Sequence, residues 1–209
     1  MPRVRSENYD TKVKAIIDSA AALFAAEGYP STKMQDIAKA CGATKSMLYH
    51  YFPTKDDLLF AMLMEHLEQV VDSIEEVLAL EASAPEKLHA LVRAYTQKSV
   101  QSRRRHMIAM QDVKYLPRAR QLPLLDLQRR ITNHVSGLLQ SVNPGLPAEV
   151  YKPYTMMLVG MLNWTDVWYR PRGALKIEAL CDRISGLFLH GFLAGAESAA
   201  GSPERRPAP

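Results

Sequence analysis

Apolar residues recur along this chain at three- and four-residue spacing almost from end to end, and nowhere do they alternate with polar residues as in a strand. The expected fold class is therefore all-α. From Asp10 to Glu27, the positions Val13, Ile16, Ile17, Ala20, Leu23 and Phe24 mark an amphipathic helix that Gly28 ends. Met34, Ile37 and Ala38 give a short second helix, followed by Gly42 where the chain needs a left-handed residue. Thr44 stands where an N-cap belongs and opens a third helix with Met47, Leu48, Tyr51 and Phe52 as its stripe. Thr32 and Gln35 have the spacing of a capping box for the second helix.

Pro53-Thr54-Lys55 stops one helix and caps the next, whose apolar positions run from Leu58 to about Leu80. After a break at Glu81–Pro85, helices are expected around Leu88–Tyr95, over Met107–Tyr115, Leu122–Leu139 and Tyr151–Trp168, and after the loop YRPRG over Ile177–Ala196. Pro117, Pro123, Pro144 and Pro147 punctuate them. The organisation read from this pattern is a flexible arm over residues 1–9, a three-helix unit over 10–54, a larger helical domain over 55–198 and a disordered tail over 199–209.

Composition changes the picture in two ways. With 209 residues and 47% hydrophobic content the chain can bury a real core. The net charge of +4 permits nucleic-acid binding, and its distribution says more. Arg3, Arg5, Lys12, Lys14, Lys33, Lys39, Lys45 and Lys55 lead the N-terminal part, whereas Asp57, Glu65, Glu68, Asp72, Glu75, Glu76 and Glu81 dominate the long helix that follows, as in a DNA-facing end continued by a solvated acidic stalk. Cys41 and Cys181 belong to no metal-ligand spacing and are expected to be buried thiols. No signal-peptide pattern opens the chain and no run approaches the ~18 apolar residues of a membrane span, so a cytoplasmic location is expected.

The stretch KMQDIAKACGATKSMLYHYF, residues 33–52, is the one the rest is organised around. Its apolar stripes leave Lys45, Ser46, Tyr49 and His50 to face outward from the second of two short helices, the equipment of a helix-turn-helix whose second helix enters the major groove. Residues 20–59, from AAALFAAEGYPSTKMQ through LYHYFPTKDDLL, resemble the N-terminal domain of TetR-type transcriptional regulators. One departure is Lys33, where the family often has a capping Ser or Thr. The resemblance implies that Lys45, Ser46 and Met47 lie nearest base edges and that Tyr49, Tyr51 and Lys55 engage phosphates or thymine methyls. Thr44 and His50 belong to the same face, and Thr32 could hold a phosphate one element earlier.

The same resemblance implies a homodimer acting on a palindromic operator, because one recognition helix reads too few base pairs, and a two-fold axis sets the second ~34–36 Å away or at a multiple of that. Family members dimerise through their last two long helices, here about 148–169 and 177–196, where Gly186, Gly191 and Gly195 allow close approach and Leu187 lies beside them.

Residues 160–173, GMLNWTDVWYRPRG, further resemble regulators of fatty-acid, phenylacetyl and steroid breakdown that respond to acyl-coenzyme A thioesters. That would make the protein a repressor of a lipid or acyl-CoA catabolic gene set, released by its effector. Trp164 and Trp168 would pack on adenine or acyl group, Arg170 and Arg172 would pair with phosphates, and Tyr95, Met110, Leu125, Met157 and Met161 would line an acyl pocket. The Arg103-Arg104-Arg105 run reads either as a solvated helix end or as further charge for those phosphates. A small apolar effector such as a drug is the alternative.

No cofactor or metal is expected. Glu86 and His89 match half of a bundle di-iron motif whose second half is missing, and His66, His106, His134 and His190 are scattered along the sequence. A bundle enzyme or an adaptor that binds no DNA are the distant alternatives.

Overall fold

The computed structural model describes residues 7–200, and every regular element among them is helical. In order these are α1 (Glu7–Glu27), α2 (Met34–Ala40), α3 (Lys45–Tyr51), α4 (Lys55–Leu78), α5 (Ala84–Gln101), α6 (Arg103–Gln111), a 3-10 turn at Val113–Tyr115, α7 (Arg118–Val142), α8 (Ala148–Trp168) and α9 (Ile177–Ala200). The chain divides into two compact units, Met1–Gln69 with Ser102–Leu127, and Val70–Gln101 with Gln128–Pro209, so the division falls inside α4 and inside α7.

In the first unit, α2 and α3 are seven residues each and could not persist alone. They are held by burial. Met34, Ile37 and Ala38 of α2 and Leu48 of α3 enter a core with Ile16, Ile17, Ala20 and Phe24 of α1 and Leu58, Leu59, Met62 and Leu63 of α4. Full burial of one such Leu or Ile contributes about 1.5–3 kcal/mol, enough for a few anchors to outweigh the cost of nucleating a short helix. The turns between them depend on glycine: Gly28 ends α1 at φ 82° and Gly42 follows α2 at φ 66°, both in the left-handed region. α6 packs along α1, and Arg105 bridges Asp18 of α1 at 2.7 Å and Glu65 of α4 at 3.2 Å.

In the second unit, α5 packs against both α8 and α9. Leu88, Leu91 and Val92 of α5 share this core with Leu158 and Leu162 of α8 and Cys181 and Phe192 of α9. The Glu86 carboxylate caps the start of α5, accepting from Ser83 N at 2.9 Å and from Ser83 Oγ at 2.6 Å. His89 pairs with Asp182 at 3.2 Å. The Glu86/His89 spacing is thus occupied by a cap and an inter-helix contact. No helix among the described residues is long and apolar enough to cross a membrane, and none of their His, Cys, Asp and Glu form a group of three suited to a metal.

Several elements differ from the expectation. α1 starts at Glu7, so residues 7–9 of the expected arm are helical, while residues 1–6 lie outside the described ones. Likewise α9 runs through Ala200, and the rest of the expected tail lies outside. The expected helix 107–115 begins four residues earlier, at Arg103, and closes in a 3-10 turn: the arginine triplet has no apolar period but good helix propensity, and forms the first turn of α6. Pro123 does not delimit a helix; it sits inside α7, near enough to the start that only the bond to the Ala119 carbonyl is forgone. The Thr32–Gln35 capping box is absent. Lys33 is the N-cap of α2 without a side-chain bond, and Thr32 is 1% exposed with its hydroxyl donating to Gly28 O at 3.0 Å. Cys181 is buried, whereas Cys41, at the C-cap of α2, is half-buried. His66 and His106, far apart in sequence, meet in the first unit with Nε2 and Nδ1 3.1 Å apart.

Candidate functional site

The outward face of α3 is built from its cap. Thr44 accepts a hydrogen bond from Met47 N at 3.1 Å, fixing the first turn, and Leu48 and Phe52 sink into the core. With those residues fixed inward, the 3.6-residue period turns Lys45, Ser46, Tyr49 and His50 outward, and all four are exposed, as is Thr44. Lys45 Nζ lies 5.9 Å from the Tyr49 ring centroid, so a cation and a flat donor ring stand together one turn apart. Met47 and Tyr51 are half-buried at the margin. Tyr51 leans on the ring of Tyr9 of α1, centroids 5.0 Å apart, and on His50. The sequence reading left Tyr9 in the arm and so missed this support.

Thr32 and Lys55 are placed otherwise. Thr32 is buried with its hydroxyl engaged and presents nothing to a phosphate. Lys55 sends its ammonium to three carbonyls, Tyr29 O at 2.7 Å, Thr32 O at 2.9 Å and Pro30 O at 3.2 Å, and lies 4.4 Å from the Tyr29 ring centroid. All three of its donors are spent. It ties the α1–α2 loop to the start of α4 and so holds α3 from behind, in place of the phosphate contact expected of it.

Around this junction Thr54 and Asp57 cap α4 reciprocally, Thr54 donating to Asp57 Oδ2 from N at 2.9 Å and from Oγ1 at 2.6 Å, and Asp57 N returning to Thr54 Oγ1 at 3.0 Å. The Thr54 hydroxyl and then the Arg120 guanidinium hold the Asp57 carboxyl below the usual carboxylate range. Tyr29 donates to Asp56, and burial followed by that bond pushes its phenol upward.

The residues expected to hold an effector fall into both units. Arg103, Arg104, Met110 and Leu125 belong to the first. Arg104 and Met110 are exposed there, Arg103 and Leu125 half-buried, and Arg105, the third of the triplet, is committed to Asp18 and Glu65. Tyr95, Met157, Met161, Trp164, Trp168, Arg170 and Arg172 belong to the second. Tyr95 is buried, donates to Asn163 Oδ1 at 2.6 Å and has its phenol pushed upward by burial and then by Asp166. Met157 is 59% exposed and lines no enclosed pocket in the single chain, contrary to the expectation; Trp164 is 64% exposed with Trp168 also exposed, and Met161 is half-buried. Arg170 and Arg172 are exposed, and Arg170 Nη1 reaches the carbonyls of Val167 and Tyr169. A cleft of about 490 Å³ in the second unit, walled by Leu78, Ala84, Lys87, His134 and Leu138 among others, contains none of these residues.

Among the expected dimer residues, Leu187 is 72% exposed and Gly191 is exposed with open space where a Cβ would stand. Gly195 lies in α9 beyond the residues whose side chains are described.

Two family models match this chain: bacterial regulatory proteins, tetR family, over residues 16–62, and tetracyclin repressor-like, C-terminal domain, over residues 81–192. The chain belongs to the TetR family. It is a DNA-binding transcriptional regulator, one of a family of regulators and not of enzymes. A TetR-family regulator from Bordetella parapertussis 12822 is 33% identical, aligning over 89% of this chain and 98% of its own with a TM-score of 0.84. The HTH-type transcriptional repressor KstR2 of Rhodococcus jostii (strain RHA1) is 26% identical over 181 residues, 85% of this chain and 89% of the relative. AibR, solved in complex with isovaleryl coenzyme A and operator DNA, shares the fold at 24% identity and a TM-score of 0.74, over 84% of this chain and 97% of its own. The TetR N-terminal match spans α2, α3 and the start of α4, the elements that carry the exposed face.

Proposed function

We propose that this TetR-family protein is a homodimeric repressor of a lipid or acyl-CoA catabolic gene set, that α3 of each protomer reads one half of a palindromic operator, and that an acyl-CoA thioester releases it. The observation that carries the DNA part is the joint exposure of Lys45, Ser46, Tyr49 and His50 on one face of a capped helix. Lys45 and Ser46 at its N-terminal turn supply donors for base edges, and Tyr49 and His50 reach the flanking backbone or thymine methyls.

The dimer reading is supported by exposed apolar residues along the last two helices. Met157, Gly160, Trp164 and Trp168 recur at the spacing of one face of α8, and Leu187 and Gly191 do so on α9. Large exposed apolar residues in such a row mark an interaction surface, and the glycines leave room for close approach. We therefore assign Met157, Trp164 and Trp168 to the seam between protomers, not to the effector site. The effector reading is supported by the likeness of residues 160–173 to acyl-CoA-responsive regulators, by the exposed Arg170 and Arg172 that follow α8, and by a fold shared with a regulator solved around isovaleryl coenzyme A. KstR2 is named as a repressor, which supports the sign.

Selection of duplex from a random pool by the wild-type protein, followed by titration of that complex with short- and long-chain acyl-CoA thioesters, free acids and coenzyme A, tests both parts. A palindromic consensus whose complex is dissociated by thioesters alone is the expected result. A protein that recovers no consensus overturns the operator reading, and a complex indifferent to every thioester overturns the effector.

A further inference from the structure

We propose that Tyr115 and Arg120, on the segment that follows α6, are positioning residues for operator recognition: they clamp the junction from which α3 is held, and so set how well the two DNA-reading helices fit the groove. The proposal rests on α3 being the DNA-reading helix. Neither residue lies near α3 in sequence, and neither is among the residues that face outward from it.

The junction is where α1 ends, α2 begins and α4 starts. Lys55 ties these together through the carbonyls of Tyr29, Pro30 and Thr32, and Tyr29 adds a bond from its hydroxyl to Asp56. Only Phe52, Pro53 and Thr54 separate the end of α3 from the start of α4, so a tilt of the α4 N-terminus is passed to α3 with little slack. Tyr115 stacks on Tyr29 with ring centroids 5.6 Å apart and planes 25° apart. Arg120 pairs with Asp57, the residue that caps α4, and lies over the Phe60 ring at 5.8 Å.

The clamping segment is itself stiff. Leu116 is buried, and Gln121 Nε2 donates to Leu116 O at 2.7 Å and to Lys114 O at 3.4 Å, closing the turn. Tyr115 is 43% exposed, and its ring also meets the cation of Lys114 at 5.3 Å. Removing either clamp leaves the apolar core of α1–α4 in place and frees the junction to rock.

The test uses full-length protein, the duplex selected by the wild type and an unrelated duplex of equal length. Tyr115→Ala and Arg120→Ala are expected to weaken the selected duplex by about tenfold each, the range of a side chain that tunes another site without touching its ligand. Affinity for the unrelated duplex, which depends on charge and not on fit, should stay within twofold for Tyr115→Ala. Tyr115→Phe and Arg120→Lys, which keep the ring and the charge, should restore most of the loss. A purely structural role would lower the melting temperature in all of these and leave the ratio of specific to non-specific affinity unchanged. That ratio unchanged in both alanine variants, measured well below their melting temperatures, overturns the proposal. Failure of the wild type to select any duplex would instead count against the operator reading itself.

Discussion

Thr44 caps α3, so Thr44→Ala should cost about 1 kcal/mol and Thr44→Ser almost none, read by chemical denaturation and by the fraction of operator bound. Lys55 is the sharper case, because the structure turns an expected phosphate contact into a strut. Truncating a charged donor with three carbonyl partners should cost about 1.5–3 kcal/mol, so Lys55→Ala should unfold at lower denaturant than wild type while the slope of log affinity against log salt is unchanged. A slope smaller by about one unit would return Lys55 to the phosphate backbone. Asp57 adds a pH signature. Its folded pKa lies below the unfolded one, so its stabilisation is full above the unfolded carboxylate range and is lost as pH falls through the folded value. Asp57→Asn, which keeps a capping oxygen, should therefore flatten the acid limb of a stability–pH profile relative to wild type. Residues such as Lys55 were legible in kind and not in partner: sequence shows a cation at a helix start, and only the fold shows which carbonyls surround it.

At the level of helices, the pattern of apolar positions located α1, α2, α3 and α4 well because each turns one apolar stripe inward and has a cap or glycine at an end. It failed where those signals were missing. The Arg103–Arg105 turn of α6 has no apolar residue, and the pull of Asp18 and Glu65 on Arg105 is a long-range effect. The expected solvated acidic face is kept in part: Glu68, Asp72 and Glu76 are exposed, while Asp57, Glu65 and Glu75 of α4 are paired with Arg120, Arg105 and Arg130. α8 carries two apolar faces. Tyr151, Leu158 and Leu162 face the core while Met157, Trp164 and Trp168 face away, and periodicity alone cannot say that a helix has two apolar faces. The assignment of the outer face to a protomer seam predicts that Leu187→Arg or Trp164→Glu yields monomers by light scattering and loses affinity for the selected duplex, since a charge would be left unpaired in the seam. A dimer of unchanged stability in both would move the interface elsewhere.

For the whole molecule, family membership accounts for the division of labour: an N-terminal match that spans the helix-turn-helix and a C-terminal match over residues 81–192. The helix-turn-helix was legible from the sequence, because cap, glycine and stripe coincide within twenty residues. The contribution of the segment after α6 to the same unit was not, because the stack of Tyr115 on Tyr29 and the pairing of Arg120 with Asp57 join residues far apart in the chain. A regulator of this kind should bind its operator with a steep loss of affinity between low and physiological salt, and an effector should shift that curve without altering its slope. If the exposed face of α3 reads the operator, the triple variant Lys45→Ala, Ser46→Ala and Tyr49→Ala separates from wild type on the duplex that wild type selects. With helix content and dimer retained, the variant should bind this duplex no better than an unrelated one; binding equal to that of wild type would place the DNA-reading face elsewhere on the protein.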